Sequence, residues 1–594
     1  MTRFSTLLLI LGLLQSSLLA QPNVPQRPLL QIVFPTDGDT VSFARIRIAG
    51  STLPGAKVTV NNLATLVYSS GAFIDRVELK PGMNEITITA ADSLNSTTTV
   101  IHIFRQPPIP ASPAMPTEID NRIMWPEADQ TLLPGDILDV RFKGSPGGQA
   151  KFSIRKLCKH IPMIELRPEE ASGMRGIYSG VVTIAAEKDI PPTPVQFELL
   201  GHDGRTVKAK SKGLIAVRRD LIPLSGETIT ATSLRTAPAA SAIISSLPAG
   251  VRLHLLGQRD GYFKVQLASN SYGYVPAADI KQLPPGTPVP NTSISLPTYA
   301  IKGDWLQLRM NVQTHCPFTL VQTIDPAMLE LTVFGAHLFS QWTTYPDNEP
   351  TIKRIRWAQP SADVFKLFVE LNQPQQWGHR VRFEPGQMIL EIRRTPKIAA
   401  PPLSPVAGLI FALDAGHGGT EKGAVGATGL LEKEVNLRYT QKLAARLDSA
   451  GARVILTRQT DTTMTLASRM DIARNANAHI FCWLHNNAVG ATADAAAVQG
   501  TSTYFTVPQN QALAWALYPH LLNLGLKSFG RVQSDYYITR QTDMLIVLVE
   551  GAFMSHPLDE MLLADEHFLD RLAEAVFRGL EDFCRKQMPA STGQ

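Results

Sequence analysis

The last third of the chain contains three short apolar runs, and each is followed by a side chain that can bind a metal ion. The runs and the residues that follow them are 409–413 with His417, 480–484 with His485, and 546–549 with Glu550. Runs of this length, bounded by turn-forming residues, predict buried strands. Functional groups of an open α/β sheet collect outside the carboxyl ends of its strands. The sequence therefore predicts one site at the ends of three strands.

A fourth candidate, Glu432, lies at the predicted start of a helix. It comes just before Val435, Leu437 and Leu443, which have helical spacing. Two imidazoles and one carboxylate leave a coordination position open for water, which a catalytic zinc ion needs. The sequence therefore contains the residue set of a zinc hydrolase: two histidines, Glu432 and the further carboxylate of Glu550.

Each of these residues also has an ordinary interpretation. A single histidine at a strand end is more often a polar surface residue, and DAGHGG is also typical of a tight turn. Glu432 also fits a first-turn carboxylate that the helix dipole favours. Glu550 is harder to explain in this way, because a carboxylate that closes an apolar run must find a partner. Together, in this order and at these strand ends, the residues favour the metal site.

Four motifs carry a resemblance to a known family. DAGHGG, GLLEKEVNL, LHNNA and VLVEGAFMS occur in this order, with TRQTD at 457–461 and SRMDIARNAN at 468–477 between them. Residues 409–583 thereby resemble the zinc-dependent N-acetylmuramoyl-L-alanine amidases of bacterial cell walls, the Amidase_3 group that includes AmiC-like enzymes. The resemblance implies that Zn²⁺ is the cofactor, that His417, Glu432 and His485 are its ligands, and that Glu550 is the general base.

The chain departs from the family pattern beside the last motif. The family usually has a proline before the VLVE strand, where this chain has Leu545 and Ile546, and it often ends the motif in SN, where this chain has Ser555 and His556. We expect His556 to be a loop residue and not a fourth ligand. Neither departure affects the four chemical positions.

The resemblance also implies an activity. The expected enzyme hydrolyses the amide between N-acetylmuramic acid and the first L-alanine of peptidoglycan, by zinc-assisted attack of water. Two alternatives stay open: a non-catalytic, peptidoglycan-binding envelope scaffold, and a zinc peptidase that acts within the stem peptide. Peptidoglycan is the expected partner, and envelope activator proteins are a further partner class.

The composition limits the other function classes. Lys and Arg number 56 and Asp and Glu number 51, so the net charge of +5 gives no case for nucleic-acid binding. A chain of 594 residues is too long for one core and should contain several domains. Four cysteines are too few for a disulfide scaffold, although a Cys482–Cys584 bridge stays open.

The first 20 residues have the pattern of a cleaved secretory signal peptide. Arg3 precedes an apolar core at 7–14, and a small residue, Ala20, closes the segment. The apolar core is too short to cross a bilayer, and no later stretch is a transmembrane candidate. We expect a periplasmic or secreted protein.

Alternating apolar runs and turn signals predict a series of β-rich modules before the last domain. The fold class is therefore a multidomain chain with several all-β modules, followed by an α/β catalytic domain with a mostly parallel sheet. The expected domains are 1–20 signal peptide, 28–105 resembling an Ig-like sandwich, 118–220 β-domain of unknown family, 225–283 resembling a bacterial SH3 barrel, 293–395 resembling an AMIN module, and 407–588 catalytic. A proline-rich tether is expected at 396–405.

The sequence also predicts whether the catalytic site is open. Some AmiC-like relatives carry an inserted helix that plugs the zinc site. Here, residues 508–540 follow the predicted strand 500–507, and a helix at 511–527 uses most of that span. The rest is expected to be loop and a short strand around 536–538, and residues 488–499 have room for only a short turn. We therefore expect an open site and a constitutively active isolated domain, residues 407–594. The alternative is that an upstream β-module covers the cleft.

Overall fold

The computed structural model describes residues 28–107, 109–171, 173–185, 189–218, 224–239, 242–340, 342–345 and 349–588. The expected signal peptide lies outside these described residues. Within the described ranges, no helix is both long enough and apolar enough to cross a membrane.

The first eight strands form two sheets around a small core that contains Ile48, Phe73 and Ile88. The sheet orders are β1-β3-β6 and β2-β8-β7-β4-β5. We call residues 30–105 the N-terminal module. Its strands are β1 Leu30–Phe34, β2 Thr40–Val41, β3 Arg45–Thr52, β4 Lys57–Val60, β5 Leu63–Thr65, β6 Ala72–Glu78, β7 Gly82–Ala91 and β8 Ser96–Arg105.

The second module, residues 119–217, is one eight-stranded sheet of order β10-β16-β15-β12-β13-β14-β11-β9. Apolar residues that alternate along its strands, such as Leu138, Val140 and Phe142, form its core. Its strands are β9 Ile119–Trp125, β10 Gln130–Leu132, β11 Ile137–Gly144, β12 Gln149–Ile154, β13 Cys158–Glu165, β14 Ile177–Thr183, β15 Ile190–Leu200 and β16 Thr206–Val217.

The third module, residues 224–282, is a seven-stranded sheet of order β19-β18-β22-β21-β20-β17-β23. Its strands are β17 Leu224–Thr228, β18 Thr232–Arg235, β19 Ile243–Leu247, β20 Arg252–Arg259, β21 Tyr262–Ala268, β22 Ser271–Pro276 and β23 Ile280–Gln282. Its core residues, among them Val251 and Leu253, belong to the same apolar cluster as Phe318 and Leu331 of the next module. The third and fourth modules therefore share one continuous core.

The fourth module, residues 292–393, contains two four-stranded sheets of order β25-β26-β33-β32 and β27-β28-β31-β30, and the pair β24-β29. Its strands are β24 Thr292–Ile294, β25 Thr298–Lys302, β26 Trp305–Asn311, β27 Phe318–Thr323, β28 Met328–Phe334, β29 Ala336–Leu338, β30 Ile352–Ser361, β31 Val364–Leu371, β32 His379–Glu384 and β33 Gln387–Arg393.

The C-terminal domain, residues 410–586, is a six-stranded sheet of order β35-β34-β36-β39-β37-β38 with helices on both faces. Neighbouring strands run parallel except for β37 and β39, which are antiparallel. The strands are β34 Ile410–Ala415, β35 Arg453–Leu456, β36 Ile480–Asn487, β37 Thr501–Phe505, β38 Ser528–Gln533 and β39 Leu545–Phe553. The helices are α1 Glu432–Ser449, α2 Leu466–Asn475, α3 Gln511–Leu522, α4 Pro557–Ala564 and α5 Glu566–Lys586.

The two faces of this sheet have separate cores. Helices α1, α3 and α5 cover one face, where Leu443, Leu517 and Leu572 pack on the strands. On the other face, Met470 of α2 packs against Phe481. Cys482 and Cys584 are both buried, and the structure describes each as a free thiol.

Helix α3 ends earlier than the sequence indicated. We expected it to reach Lys527, but it ends at Leu522. Gly525 has φ +85°, a left-handed conformation that commonly ends helices. The expected short strand around 536–538 is also wrong, because the strand of this region is Ser528–Gln533 and residues 537–540 form a turn.

The fourth module is joined firmly to the amino end of the C-terminal sheet. Trp377 is buried in the core of the C-terminal domain, with its ring centroid 5.9 Å from that of Phe583. The Arg393 guanidinium donates to the side-chain oxygen of Asn477 at 2.8 Å. The expected tether also packs on this domain, since Ile398 is buried. The two units therefore share a core and not only a linker.

The N-terminal module packs against the opposite, carboxyl end of the same sheet. The Arg47 amide donates to the carbonyl of Ala491 at 2.9 Å, and Arg76 pairs with Asp494 at 3.0 Å. The Tyr68 ring lies 6.5 Å from the His556 ring at the start of α4. Ala49 and Ala72 of the module also pack against Ala427 of the C-terminal domain, in a small apolar contact. The module thus touches the loops that surround the ends of the strands.

Two buried histidines near the contact between the fourth module and the C-terminal domain make stability depend on pH. Burial lowers the pKa of His379 from 6.5 to about 4. Burial, together with the positive charge of Arg393, lowers the pKa of His479 from 6.5 to about 4. Both are neutral when folded but take up a proton below pH 6.5 when unfolded, so their contribution is complete above pH 6.5 and is lost as the pH falls towards 4.

We expect the protein to be less stable at pH 5 than at pH 7.5, by about 2 kcal/mol for each of these histidines. His379→Gln should remove one of the two contributions, as measured from urea denaturation curves at both pH values. The exposed His567 offers a matched control, His567→Gln. Equal pH dependence in wild type and His379→Gln would show that His379 does not stay neutral in the folded protein.

Candidate active site

The loop after β34 places His417 at the carboxyl end of the sheet. His417 has φ +61°, which is uncommon for a residue with a side chain. A Cβ atom at Gly416 would lie 2.0 Å from His485 Nε2, and one at Gly423 would lie 2.5 Å from a Glu432 carboxyl oxygen. The glycines of this loop therefore let two candidate ligands approach the backbone closely.

Two buried arginines donate hydrogen bonds to this loop. Arg469 of α2 donates to Asp414 Oδ1 at 2.6 Å and to the carbonyl of His417 at 2.7 Å. Arg458, which follows β35, donates to the carbonyls of Ala415 at 2.8 Å and Gly416 at 3.1 Å. Sequence reasoning assigned these arginines no role, although TRQTD and SRMDIARNAN marked their segments. They fix the backbone that carries His417.

Glu432, the first residue of α1, connects the two histidines. One of its oxygens lies 3.1 Å from His417 Nε2, and the other lies 2.9 Å from His485 Nδ1. The backbone amides of Ala424 and Asn486 also donate to this carboxylate. Burial raises the pKa of Glu432, but the hydrogen bonds with both histidines outweigh burial and hold the pKa well below its usual range. Glu432 is therefore ionised at neutral pH.

These three residues fit a zinc ion. One donor atom from each lies within 4.8 Å of the other two, and this is the one such cluster of His, Cys, Asp or Glu in the described residues. Tetrahedral zinc with bonds of about 2.0–2.1 Å requires donor atoms about 3.4 Å apart, close to the two contacts of Glu432. The His485 nitrogen that meets this distance is Nδ1, which lies 2.9 Å from Glu432. The donor set is thus the type that zinc prefers.

Glu550 lies beside the cluster, on β39. It pairs in register with His485 of the neighbouring strand β36. Its Oε2 atom is inaccessible to solvent and without a hydrogen-bond partner in the described ranges. Burial, and then the negative charge of Glu432, raises the pKa of the Glu550 carboxyl well above its usual value. The fold therefore brings all four predicted residues to one end of the sheet.

His556 stands apart from this cluster. Its side chain caps the first turn of α4 by accepting from the amide of Leu558 at 3.3 Å. It belongs to none of the potential metal-binding groups found among the described residues. The expectation that His556 is not a fourth ligand agrees with this position.

Aromatic side chains that sequence reasoning did not select form one wall of the site. The Trp483 ring lies 4.8 Å from the His485 ring and 6.2 Å from the Tyr536 ring. Tyr504 lies 6.0 Å from Tyr536. Trp483 precedes His485 by two residues on one strand, so strand periodicity would have placed both on the same face. The wall is an apolar surface beside a polar, titratable centre.

The site is open to solvent. Residues 488–500, all of which are described, contain turns and no helix. The strand after them, Thr501–Phe505, leads into α3, which packs on the opposite sheet face from α2. The His417 side chain is 29% exposed. Along the described C-terminal domain, no inserted helix closes the site, as the loop lengths indicated.

Replacement of Arg469 tests how much the loop depends on its buried anchor. Arg469 and Asp414 form an ion pair with side-chain exposures of 2% and 0%. Arg469→Met leaves the Asp414 carboxylate buried without its partner, so we expect a loss of about 3–5 kcal/mol in unfolding free energy. Chemical denaturation measures this loss. The exposed pair of Arg578 and Glu574 serves as the control, and Arg578→Met should cost less than about 1 kcal/mol. Equal losses would contradict the anchoring role of Arg469.

Comparison with known proteins finds a likeness in the last third of the chain. Residues 411–582 match a family model described as N-acetylmuramoyl-L-alanine amidase. LytC of Bacillus subtilis, named as an N-acetylmuramoyl-L-alanine amidase, is 34% identical over 194 residues, which is 32% of this chain and 38% of LytC. The uncharacterised protein YqiI of Bacillus subtilis is 31% identical over 184 residues, which is 30% of this chain and 86% of YqiI.

Solved structures match a similar share of this chain. The amidase AmiC2 of Nostoc punctiforme is 32% identical, covers 30% of this chain and 99% of its own, and has a TM-score of 0.29. The chain spans well under half of LytC, 38%, but most of YqiI, 86%. The likeness thus belongs to the C-terminal domain.

Proposed function

Because this chain belongs to the N-acetylmuramoyl-L-alanine amidase family, we propose that it hydrolyses the amide bond between N-acetylmuramic acid and the first L-alanine of the peptidoglycan stem peptide. The observation that carries this proposal is the convergence of His417, Glu432 and His485 within 4.8 Å, at the strand end that also bears Glu550. Such a cluster beside a buried carboxylate suits metal-assisted hydrolysis.

The cofactor in this proposal is Zn²⁺, held by His417, Glu432 and His485. A zinc ion held there would supply a water molecule with a pKa of about 7 and a Lewis acid for the amide carbonyl. The backbone amides of Ala424 and Asn486 donate to the two oxygens of Glu432 and so orient its carboxylate. This second set of contacts keeps the donor atoms in place.

Glu550 is the general base in this proposal. Its carboxylate takes a proton from the attacking water and delivers it to the leaving nitrogen of L-alanine as the C–N bond breaks. Trp483 and Tyr536 offer apolar surface on which the sugar ring or the stem peptide packs beside the reacting bond.

The upstream modules are proposed to bring this domain to the cell wall. We assign residues 28–105 as Ig-like, 225–283 as SH3-like and 293–395 as AMIN-like, with 118–220 as a β-domain of unknown family and 407–588 as the catalytic domain. The strand-rich composition of each segment supports these assignments. With residues 1–20 as a cleaved signal peptide, the enzyme is periplasmic or secreted, and envelope activator proteins are its further proposed partners.

Digestion of purified cell wall tests the proposed reaction. Mass analysis should find free stem peptides that begin with L-alanine, together with intact glycan strands. Shorter peptides would instead identify a peptidase that acts within the stem. An absence of released products would identify a binding scaffold. Either of these outcomes would overturn the proposal.

Replacement of the proposed ligands should remove the metal. His417→Ala and His485→Ala should each lower the bound zinc, measured by elemental analysis, and abolish the release of stem peptides. His556→Ala is the matched control, because His556 lies near the site but outside the donor cluster. If His417→Ala and His485→Ala kept as much zinc as wild type, the ligand assignment would be wrong.

Replacement of Glu550 should separate metal binding from turnover. Glu550→Gln keeps the shape of the side chain but cannot accept the proton, so we expect wild-type zinc content and a loss of about 10²–10⁴-fold in turnover. Zinc analysis and peptide release, measured on the same samples, check this result. Loss of zinc along with turnover would make Glu550 a ligand, and unchanged turnover would remove it from the mechanism.

A further inference from the structure

Three adjacent strands present one polar side chain each in a single row across the sheet. Glu550 of β39 pairs with His485 of the parallel strand β36 and with Ser502 of the antiparallel strand β37. Side chains of paired residues point to the same face, with Cβ atoms about 4.5–5.5 Å apart in an antiparallel pair. The row therefore places Ser502 directly beside Glu550, on the side away from His485.

Each member of this row has a buried polar atom without a hydrogen-bond partner of standard geometry among the described residues. These atoms are His485 Nε2, Glu550 Oε2 and Ser502 Oγ. Ser502 is fully buried, with 0% exposure. Buried polar atoms are almost always hydrogen-bonded, because an unsatisfied one costs about 1–3 kcal/mol. The last two of these atoms, on the neighbouring strands β39 and β37, indicate a polar network that is completed when the site works.

The next residue on the same face of β37 extends this network. Tyr504 is two residues from Ser502, and its phenol accepts a hydrogen bond from Asn487 Nδ2 at 3.3 Å. Burial raises the pKa of Tyr504, a hydrogen-bonding interaction with Ser502 lowers it, and the charge of Glu550 raises it. Tyr504 pairs with Leu548, two residues before Glu550, so its phenol lies on the same face of the sheet as Ser502 and Glu550.

We propose that Ser502 is a positioning residue of the active site, which holds the Glu550 carboxyl in the orientation for proton transfer. In the completed network, the Ser502 hydroxyl donates to Glu550 Oε2 and the Tyr504 hydroxyl donates to Ser502 Oγ, two bonds that are not formed among the described residues. Asn487 donates to Tyr504, so every donor in the chain of four side chains has an acceptor. This inference rests on the proposed role of Glu550.

The arrangement assigns different tasks to the two oxygens of Glu550. Oε2 stays bonded to Ser502 throughout, while Oε1 takes the proton of the attacking water. The new C–O bond forms, the C–N bond breaks, and Oε1 returns that proton to the leaving nitrogen. Ser502 neither gains nor loses a proton in this cycle. Its effect is to prevent the carboxyl from rotating and exchanging its oxygens.

The strand itself provides a matched control. Thr503 lies between Ser502 and Tyr504 and is equally buried, but its side chain points to the other face of the sheet. Its hydroxyl donates to the carbonyl of Ala514 in α3 at 3.0 Å. Thr503→Val therefore removes a buried hydroxyl from the same strand but leaves the row of His485, Glu550 and Ser502 unchanged.

The experiment measures kcat and KM for stem-peptide release, zinc content and thermal stability of the full-length protein. Ser502→Ala should lower kcat by about 10- to 100-fold, the size of one hydrogen bond to a charged group, with KM and zinc content near wild type. Ser502→Thr, which keeps the hydroxyl, should recover most of this loss. Thr503→Val should lose stability but keep kcat.

A second variant keeps the inference testable if threonine does not fit at position 502. Tyr504→Phe should lower kcat on its own but add little to Ser502→Ala, because Tyr504 acts through Ser502. If Ser502→Ala keeps wild-type kcat, or loses kcat only as it loses zinc, the positioning role is wrong while the proposed reaction stands. If wild type releases no stem peptide, both the proposed reaction and this inference fail.

Discussion

The site depends on the contacts of one buried carboxylate, that of Glu432. It lies between His417 and His485, and it also links the start of α1 to the ends of β34 and β36. A buried charge of this kind is stable only when donors surround it, and two backbone amides and two imidazoles supply them. Because Glu432 binds to both histidines, the structure holds the three donor atoms close together before any metal binds.

Local patterns were enough to predict the parts of the site that each strand or helix carries by itself. The start of α1 at Glu432 is as predicted, since it follows from apolar spacing. The strands of His485 and Glu550 also form, but they continue to Asn487 and Phe553, past the residues expected to end them, because the two strands stay paired there. The predicted end of α3 and the predicted strand around 536–538 were wrong, because a left-handed glycine and an aromatic contact outweighed intrinsic propensity. The assigned families of the upstream modules remain predictions.

Contacts between distant segments could not be read from one sequence. Arg469 reaches the loop of His417 across 52 positions, and Ser502 meets Glu550 only because β37 runs antiparallel to β39. The burial of Trp377 in the core of another domain likewise depends on shape complementarity between surfaces far apart in the chain. Such contacts depend on the register and packing of the whole fold, which residue types alone do not specify.

The N-terminal and fourth modules pack against opposite ends of one sheet, so the contacts between the described modules form a closed ring. The fourth module is bonded to the amino end of the sheet, and the N-terminal module returns to its carboxyl end through Arg47 and Arg76. Tethering gives that last contact a high effective concentration, so a few hydrogen bonds, a small apolar cluster and one half-exposed ion pair close the ring. The ion pair weakens as salt rises, whereas the apolar cluster does not. The ionic strength of the surroundings therefore tunes how tightly the rim of the active site is held.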